Sequence, residues 1–309
     1  MSVRFTLVQL RYFVTVARLE HMTAAAAELN VTQSTLSSAI AQLEAELGVP
    51  LFVRLPRRGL RLTPAGHTLL ARSDALLEEA ELISRSVHEA DPVLTGDLVV
   101  GIYAPLAPFR APALLQQFER LHPGVNLVFL EGDQGTLQQA LLDGRCEVAL
   151  MYDLGVGEQF ARRVIETIPP HIIVSERHPI AVSGRHEVSL SEFADEPLIL
   201  LNLPHTREYY LGLFKLLGIT PRLRHVSLGY ETVRSFVALG HGYSVLNHWV
   251  DHGMTYAGEH VVPIRLSESL PPTEASLVRL KNLRPTQKSL AFESVCLGMV
   301  GDTAAASSS

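Results

Sequence analysis

Several residue groups in this 309-residue chain have types and spacings suited to specific chemistry. His248 and His252 stand four apart, the separation that places two imidazoles on one helix face, as in zinc sites. Trp249 occupies the place where a glutamate would follow the first histidine, and Gly253 ends the stretch at once, so a surface segment without metal is expected. Nothing in the spacing of the thirteen histidines marks out a pH switch. Gly240-His241-Gly242 follows a helical pattern rather than a strand, so it is no dinucleotide fingerprint, and no GxxxxGK[ST] phosphate loop occurs. Ser37 and Cys146 lack a patterned base, and Cys146, just before a strand, is expected as a small buried hydrophobe. A different chemistry is carried by Gln33, Ser34, Thr35, Ser37 and Ser38, followed by Arg54, Arg57 and Arg58. Short hydroxyl and amide side chains at a helix start can approach phosphates, Gln33 can read a base edge, and arginine suits phosphates and narrow minor grooves. That combination points to DNA.

Positioning those residues requires helices. Leu7, Leu10, Phe13, Val14 and Ala17 recur at three- and four-residue steps, giving a first helix one buried stripe. Thr23 is expected to cap a second helix over Ala24–Leu29, Asn30 and Val31 to form a turn, and Thr32 to cap a third running to Leu47. Gly48 and Pro50 stop it, and Leu36, Ile40, Leu43 and Leu47 form its core face. Two helices joined by so short a turn suit a helix-turn-helix. Leu51–Leu55 and Gly59–Leu62 then flank Pro56-Arg57-Arg58 as a two-stranded wing with an arginine tip. Beyond it Leu69, Leu76, Ile83 and Ala90 step by seven, with Ser73, Ala80 and Val87 between them, a heptad seam for pairing with a second helix. From about Thr95, short runs such as Leu98–Tyr103, Val125–Glu131, Val148–Met151 and Ile172–Ser175 alternate with helical stretches, the rhythm of βαβ units and a largely parallel sheet.

Charge divides the chain the same way. Up to Leu62, seven arginines face four acids; from Thr63 to Pro92, Arg72 and Arg85 face six acids. A basic head on an acidic neck survives the net charge of -6. With 47% apolar and 19% charged residues a sizeable core forms, and wholesale disorder is excluded. Two cysteines are too few for a disulfide framework. The longest apolar runs fall short of a membrane span, and Arg4 and Arg11 interrupt the apolar start, so no membrane contact and a cytoplasmic location are expected. A ligand-responsive DNA-binding regulator explains head, neck and body together. A solute-binding protein explains only the body, and an enzyme on an α/β scaffold lacks a catalytic constellation.

The residues Leu10-Arg11-Tyr12-Phe13, Ala24–Leu29, Gln33, Leu36-Ser37, Ile40, Leu43-Glu44, Leu47–Phe52, Arg54 and Leu62–Gly66 closely resemble the LysR-type transcriptional regulators. The C-terminal part resembles that family's effector domain through Leu98–Tyr103, Phe118–Pro123, Leu142–Met151 and Val237–Leu246. The resemblance implies an α/β fold: a winged helix-turn-helix over residues 1–62, a dimerising linker helix over 63–92, and a two-lobed effector domain over 93–300 like periplasmic binding proteins. A disordered tail over 301–309 completes the expected plan. It implies no cofactor and no catalysis, a small-molecule effector between the lobes, and promoter DNA, the chain itself as dimer and homotetramer, and RNA polymerase as partners. Gln33, Ser34, Thr35, Ser37 and Ser38 take the family's recognition-helix positions, and Arg54 its wing arginine. The family usually has proline then alanine at Ser34 and Thr35, and often arginine at Ser38, so affinity should lean on the wing arginines. The implied effector contacts are Ala104, Pro105, Leu106, Gln134, Asn202, Pro204, His205, Thr206, Tyr230 and Thr232. Members that bind carboxylates often present a hydroxyl where Pro105 stands; proline offers no donor, leaving backbone amides, His205 or Gln134 to take over.

Overall fold

The computed structural model describes residues 4–55, 59–86, 94–250 and 252–306. The head starts with helix α1 (Leu7–Leu19), closed by a capping box in which Thr6 Oγ1 accepts from the Gln9 amide and Gln9 Oε1 accepts from the Thr6 amide. Leu10, Phe13, Val14, Val16 and Ala17 form its buried face. Helix α2 (Met22–Glu28) starts one residue before Thr23. His21, not Thr23, is its cap: the imidazole Nδ1 accepts from the Ala24 amide at 3.3 Å. Helix α3 (Gln33–Leu47) is capped by Thr32 as the sequence suggests and ends on Gly48 in the left-handed region.

Strands β1 (Phe52–Leu55) and β2 (Gly59–Leu62) pair antiparallel, with Phe52 opposite Leu62 and Leu55 opposite Gly59. Glu44, on α3, accepts from the Leu51 and Phe52 amides, and Leu60 N donates to Glu20 O at the end of α1, so the wing is anchored to two helices. Arg57 and Arg58 at the tip lie outside the described residues. Helix α4 (Pro64–Ser86) follows, with Leu76 47% and Ile83 60% exposed within one chain. Ser73, expected on the same seam, is buried, and Val87 and Ala90 lie outside the described residues. Arg18 of α1 reaches Asp74 of α4 at 3.0 Å and Asp97 of the body at 2.7 Å.

The body has two lobes. The first contains β3 (Gly96–Tyr103), α5 (Ala107–Leu121), β4 (Val125–Gly132), α6 (Gln134–Leu142), β5 (Val148–Tyr152) and β6 (Phe160–Ile168). The chain then enters the second lobe with β7 (His171–Ser175), α7 (Pro179–Val182), β8 (Glu187–Val188), a 3₁₀ turn over Leu190–Phe193, β9 (Pro197–Leu201), α8 (Thr206–Leu216) and β10 (Arg222–Ser227). Helix α9 (Tyr230–Ala238), β11 (Ser244–Leu246) and β12 (Val261–Leu266) complete it, before β13 (Thr273–Leu280) and α10 (Gln287–Ala306) return to the first.

The first sheet has the order β4-β3-β5-β13-β6 and the second joins β11-β7-β12-β8. The pair β10-β9 attaches to β11 through Tyr243, whose amide donates to Pro197 O and whose carbonyl accepts from the Ile199 amide. Both sheets are mixed rather than largely parallel. The chain crosses between lobes twice, and the returning strand β13 must run antiparallel to β5 and β6. Each crossing carries a proline pair, Pro169-Pro170 and Pro271-Pro272, which limits the backbone freedom of the connection. The tail also departs from expectation: α10 continues through residues 301–306, and only 307–309 lie outside the description.

Candidate functional site

The DNA-facing candidates occupy the first turns of α3. Gln33, Ser34, Thr35 and Ser38 are exposed and Ser37 is half-buried, while Leu36, Ile40 and Leu43 on the opposite side hold the helix in the core. Thr32 Oγ1 accepts from the Thr35 amide and lies 2.9 Å from Ser34 Oγ and 2.8 Å from Thr35 Oγ1, so cap and recognition residues form one hydroxyl cluster. Thr23, misassigned as a cap from sequence, instead donates from its hydroxyl to Gln33 Oε1 at 3.4 Å, tying α2 to α3. No acid stands in the first turn of α3, so its amide dipoles meet no competing carboxylate. Arg54 lies on β1 opposite Leu60.

The second site is built from four helix starts facing the junction of the lobes, the place where an α/β fold accepts ligands. Ala104, Pro105, Tyr230 and Thr232 line one open groove of about 550 Å³, together with Glu131 and Glu231. Asn202 Oδ1 accepts from Arg207, and Pro204 and His205 are exposed at the start of α8. His205 has a φ of 63° and its ring covers Gly155, where an added Cβ would lie 2.4 Å from the His205 Nδ1. Thr206 is buried and shares a 2.7 Å hydrogen bond with the Tyr103 hydroxyl across the two lobes. Gln134 is also buried: its Nε2 donates to Tyr152 O at 2.8 Å, while its Oε1 has no partner. Leu106 departs from expectation, because its side chain is fully buried and lines a separate apolar cavity beneath α5. It follows the first turn after β3, which points it inward.

The structure adds residues that sequence reasoning missed. Tyr103 and Tyr152 end β3 and β5 with their rings 5.1 Å apart, and Tyr209 and Tyr210 on α8 lie 5.2 Å apart. Asn247 Nδ2 donates to Ile168 O at the first crossing and to Tyr209 Oη, whose hydroxyl donates to Pro271 O at the second. Tyrosines closing two of the apolar strand runs, Leu98–Tyr103 and the one ending at Tyr152, are a signal present in the sequence. The asparagine contacts are not, because they join residues far apart in sequence.

His248 and His252 do not share a helix, since the chain after β11 is irregular. His248 instead stacks on Phe109 of the first lobe, with ring centres 3.8 Å apart. Burial pushes His171 down to about 3, aided by neighbouring His248, and burial with the nearby Arg110 charge pushes His248 down to about 4. Both rings are therefore neutral, as is the Cys146 thiol, which burial pushes up to about 12.

These shifts fix a pH dependence. Below about pH 6.5 the unfolded chain protonates both histidines while the folded lobes do not, so stability falls on acidification by up to ~1.4 kcal/mol per pH unit for each ring. Glu147 acts in the opposite sense: burial and the Asp74 charge raise its carboxyl to about 7, so its stabilising protonation is lost as the pH rises through that value. Comparing urea unfolding at pH 7 and 5, the protein should lose ~1–2 kcal/mol more than its His248→Gln variant. Equal losses would mean that His248 is not held neutral.

Residues 93–299 match the family model for the LysR substrate binding domain, and residues 7–67 that for the bacterial regulatory helix-turn-helix protein, lysR family. The HTH-type transcriptional regulator CfxR of Cupriavidus necator is 34% identical over 247 residues, spanning 78% of this chain and 75% of that protein. The crystal structure of HinK, a LysR family transcriptional regulator from Pseudomonas aeruginosa, is 30% identical with a TM-score of 0.65, covering 97% of this chain and 100% of that one. An OxyR C206 mutant from Corynebacterium glutamicum is 27% identical with a TM-score of 0.64, covering 99% and 95%. With a helix-turn-helix head, a linker helix and a two-lobed body each in the matching order, this chain belongs to the LysR-type transcriptional regulators.

Proposed function

We propose that this regulator seats the start of α3 in the DNA major groove, with Gln33 towards base edges and Ser34, Thr35, Ser37 and Ser38 on the flanking phosphates. Arg54, Arg57 and Arg58 of the wing supply the charge that the recognition helix lacks. The observation that carries this reading is the exposed, uncharged hydroxyl and amide cluster on the first turns of α3, with Glu44 holding that helix and the wing in fixed relation. Binding to DNA from its own upstream region should be sequence-specific and fall steeply with salt. Arg54→Ala should weaken it about tenfold and lower the salt slope by about 1, with folding intact. Unchanged affinity in a gel-shift titration would refute the wing assignment.

A small molecule between the lobes is proposed to shift the population between two lobe arrangements, altering the spacing of DNA-binding heads in the oligomer. The groove shared by Ala104, Pro105, Tyr230 and Thr232 and the interlobe Tyr103–Thr206 bond support that placement. The exposed Leu76 and Ile83 of α4 support a linker-helix dimer. Exposed Val128 and Phe129 on edge strand β4, with Leu223 and Val226 on edge strand β10, support a second self-contact and a homotetramer.

The chain acts by binding rather than turnover, in the cytoplasm, where promoter DNA and RNA polymerase are its partners. The neutral buried Cys146 thiol and neutral His171 and His248 support the first point. Among the described residues no helix is long and apolar enough to cross a membrane.

A further inference from the structure

The groove of about 550 Å³ between the lobes carries two carboxylates, Glu131 and Glu231, and no lysine, arginine or histidine among the described residues lines it. Glu131 stands one residue before the end of β4, in the first lobe, is exposed, and has no ion pair among the described residues. Glu231 belongs to the second lobe, in the first turn of α9. Its Oε1 accepts from the Tyr256 amide at 2.8 Å and its Oε2 from Arg234 at 2.6 Å. Arg234 is buried, and its Nη2 donates to the His252 and Met254 carbonyls at 3.2 Å, so its charge is directed away from the groove. Anions find no donors here. Pro105 and Pro108 have no N–H, the Ala104 amide donates to Gly132 O, the Leu106 amide donates to Tyr103 O, and Ala107 is buried. The other helix starts at the junction meet acids of their own: Asp133 caps α6, and Glu208 and Glu231 stand in the first turns of α8 and α9.

We infer, resting on the reading that an effector sits between the lobes, that this effector is a small organic amine. Its ammonium lies between Glu131 and Glu231, and its hydrocarbon part lies on Pro105, Pro108, Leu228 and Tyr230. Among the described residues no group of three or more acids, histidines or cysteines is placed to hold a metal ion, whereas a protonated amine needs only hydrogen-bond acceptors beside an apolar wall. Tyr230 and Tyr256 add phenol rings to the same groove, and the Tyr256 ring, 94% exposed, is left uncovered by the protein. The face of such a ring attracts a cation. The two carboxylates belong to opposite lobes and repel each other as the lobes approach. A cation between them reverses that sign, so the amine binds the closed arrangement more tightly and shifts the population towards it.

Calorimetric titration of the full chain with pentan-1-amine, pentan-1-ol and pentanoate separates charge from chain length without reference to DNA. The amine should bind at least about tenfold tighter than the alcohol, and pentanoate should not bind at millimolar concentration. Glu131→Gln should weaken the amine about tenfold and leave the alcohol unchanged. Glu119→Gln, at the far end of α5, should change neither. Thr232→Trp, exposed on α9 where it lines the groove, should fill that space and abolish binding of the amine. Absence of amine binding at millimolar concentration would overturn the inference, as would equal losses in Glu131→Gln and Glu119→Gln. Pentanoate binding that Thr232→Trp removes would overturn the amine class alone and keep the groove as the effector site. Amine binding untouched by both Glu131→Gln and Thr232→Trp would overturn the placement between the lobes.

Discussion

Gly242→Ala should destabilise the second lobe by ~3–5 kcal/mol, from backbone strain at a non-glycine residue together with the loss of two hydrogen bonds. Gly242 has a φ of 150°, and an added Cβ would lie 2.0 Å from the Pro197 carbonyl oxygen. That oxygen accepts from the Tyr243 amide at 3.0 Å, and the Tyr243 carbonyl accepts from Ile199 at 2.8 Å. These two bonds are the seam that attaches β9 and β10 to β11. The Cβ meets a backbone atom, so no side chain can turn aside to relieve the clash. Tyr243 itself is buried with its ring 4.8 Å from that of Phe193, and moving the seam disturbs that packing as well. Against a total stability of about 5–15 kcal/mol, the loss removes a large share of what holds the lobe folded and should lower its melting temperature by several degrees. The head does not depend on this seam, so the variant should retain DNA binding while losing its response to an effector. A melting temperature within about 1 °C of the parent would show that the turn relaxes without cost.

Gly66→Ala should damage the other end of the molecule. Gly66 stands in the first turn of α4, where its Cα approaches the loop before the wing so closely that a Cβ would lie 2.3 Å from Leu51 O and 2.8 Å from Leu62 Cδ2. Thr63 knits the same point together: its amide donates to Leu51 O, its hydroxyl donates to Pro50 O, and its Oγ1 accepts from the Gly66 amide. At an unobstructed helical position, alanine is favoured over glycine by ~1 kcal/mol. Here the sign should reverse, to a net loss of ~2–4 kcal/mol, because overpacking against a carbonyl must push helix and wing apart. DNA affinity should fall more than about tenfold, since the wing and recognition helix lose their common anchor. Gly212 in α8 provides the control, having nothing within 4 Å of its would-be Cβ. Gly212→Ala should be neutral or raise the melting temperature, and an equal loss from both substitutions would refute the steric account of Gly66.

The two glycines illustrate how differently position and role are encoded. Gly66 belongs to the Leu62–Gly66 segment that carries the family resemblance, yet the carbonyl it must avoid lies fifteen residues earlier and only the fold brings it near. Gly242 was recognisable as part of a turn after a helix. That its conformation aligns two strand pairs became apparent only with Pro197 in place.

The sequence by itself determined what short-range physics controls. The apolar spacing of Leu36, Ile40 and Leu43, the Thr32 cap and the Gly48 stop specify the recognition helix and leave Gln33, Ser34, Thr35 and Ser38 facing outward. Strands β3, β4, β5 and β7 of the body were equally legible as β-branched runs, and the basic head and acidic neck as charge. Tertiary structure decided which potential cap won at α2, because His21 sits where α1 has just ended and leaves Thr23 free to hold Gln33. It also turned Leu106 inward, made both sheets mixed, and placed His248 against Phe109. The lobe junction rests on Tyr103 with Thr206 and Ile168 with Asn247, pairs separated by 103 and 79 residues. Caps and periodicities act within a turn or two of helix and so appear in any stretch of sequence. Contacts across such separations exist only once the chain has closed on itself, and they set which expected residues face a ligand and which disappear into the core.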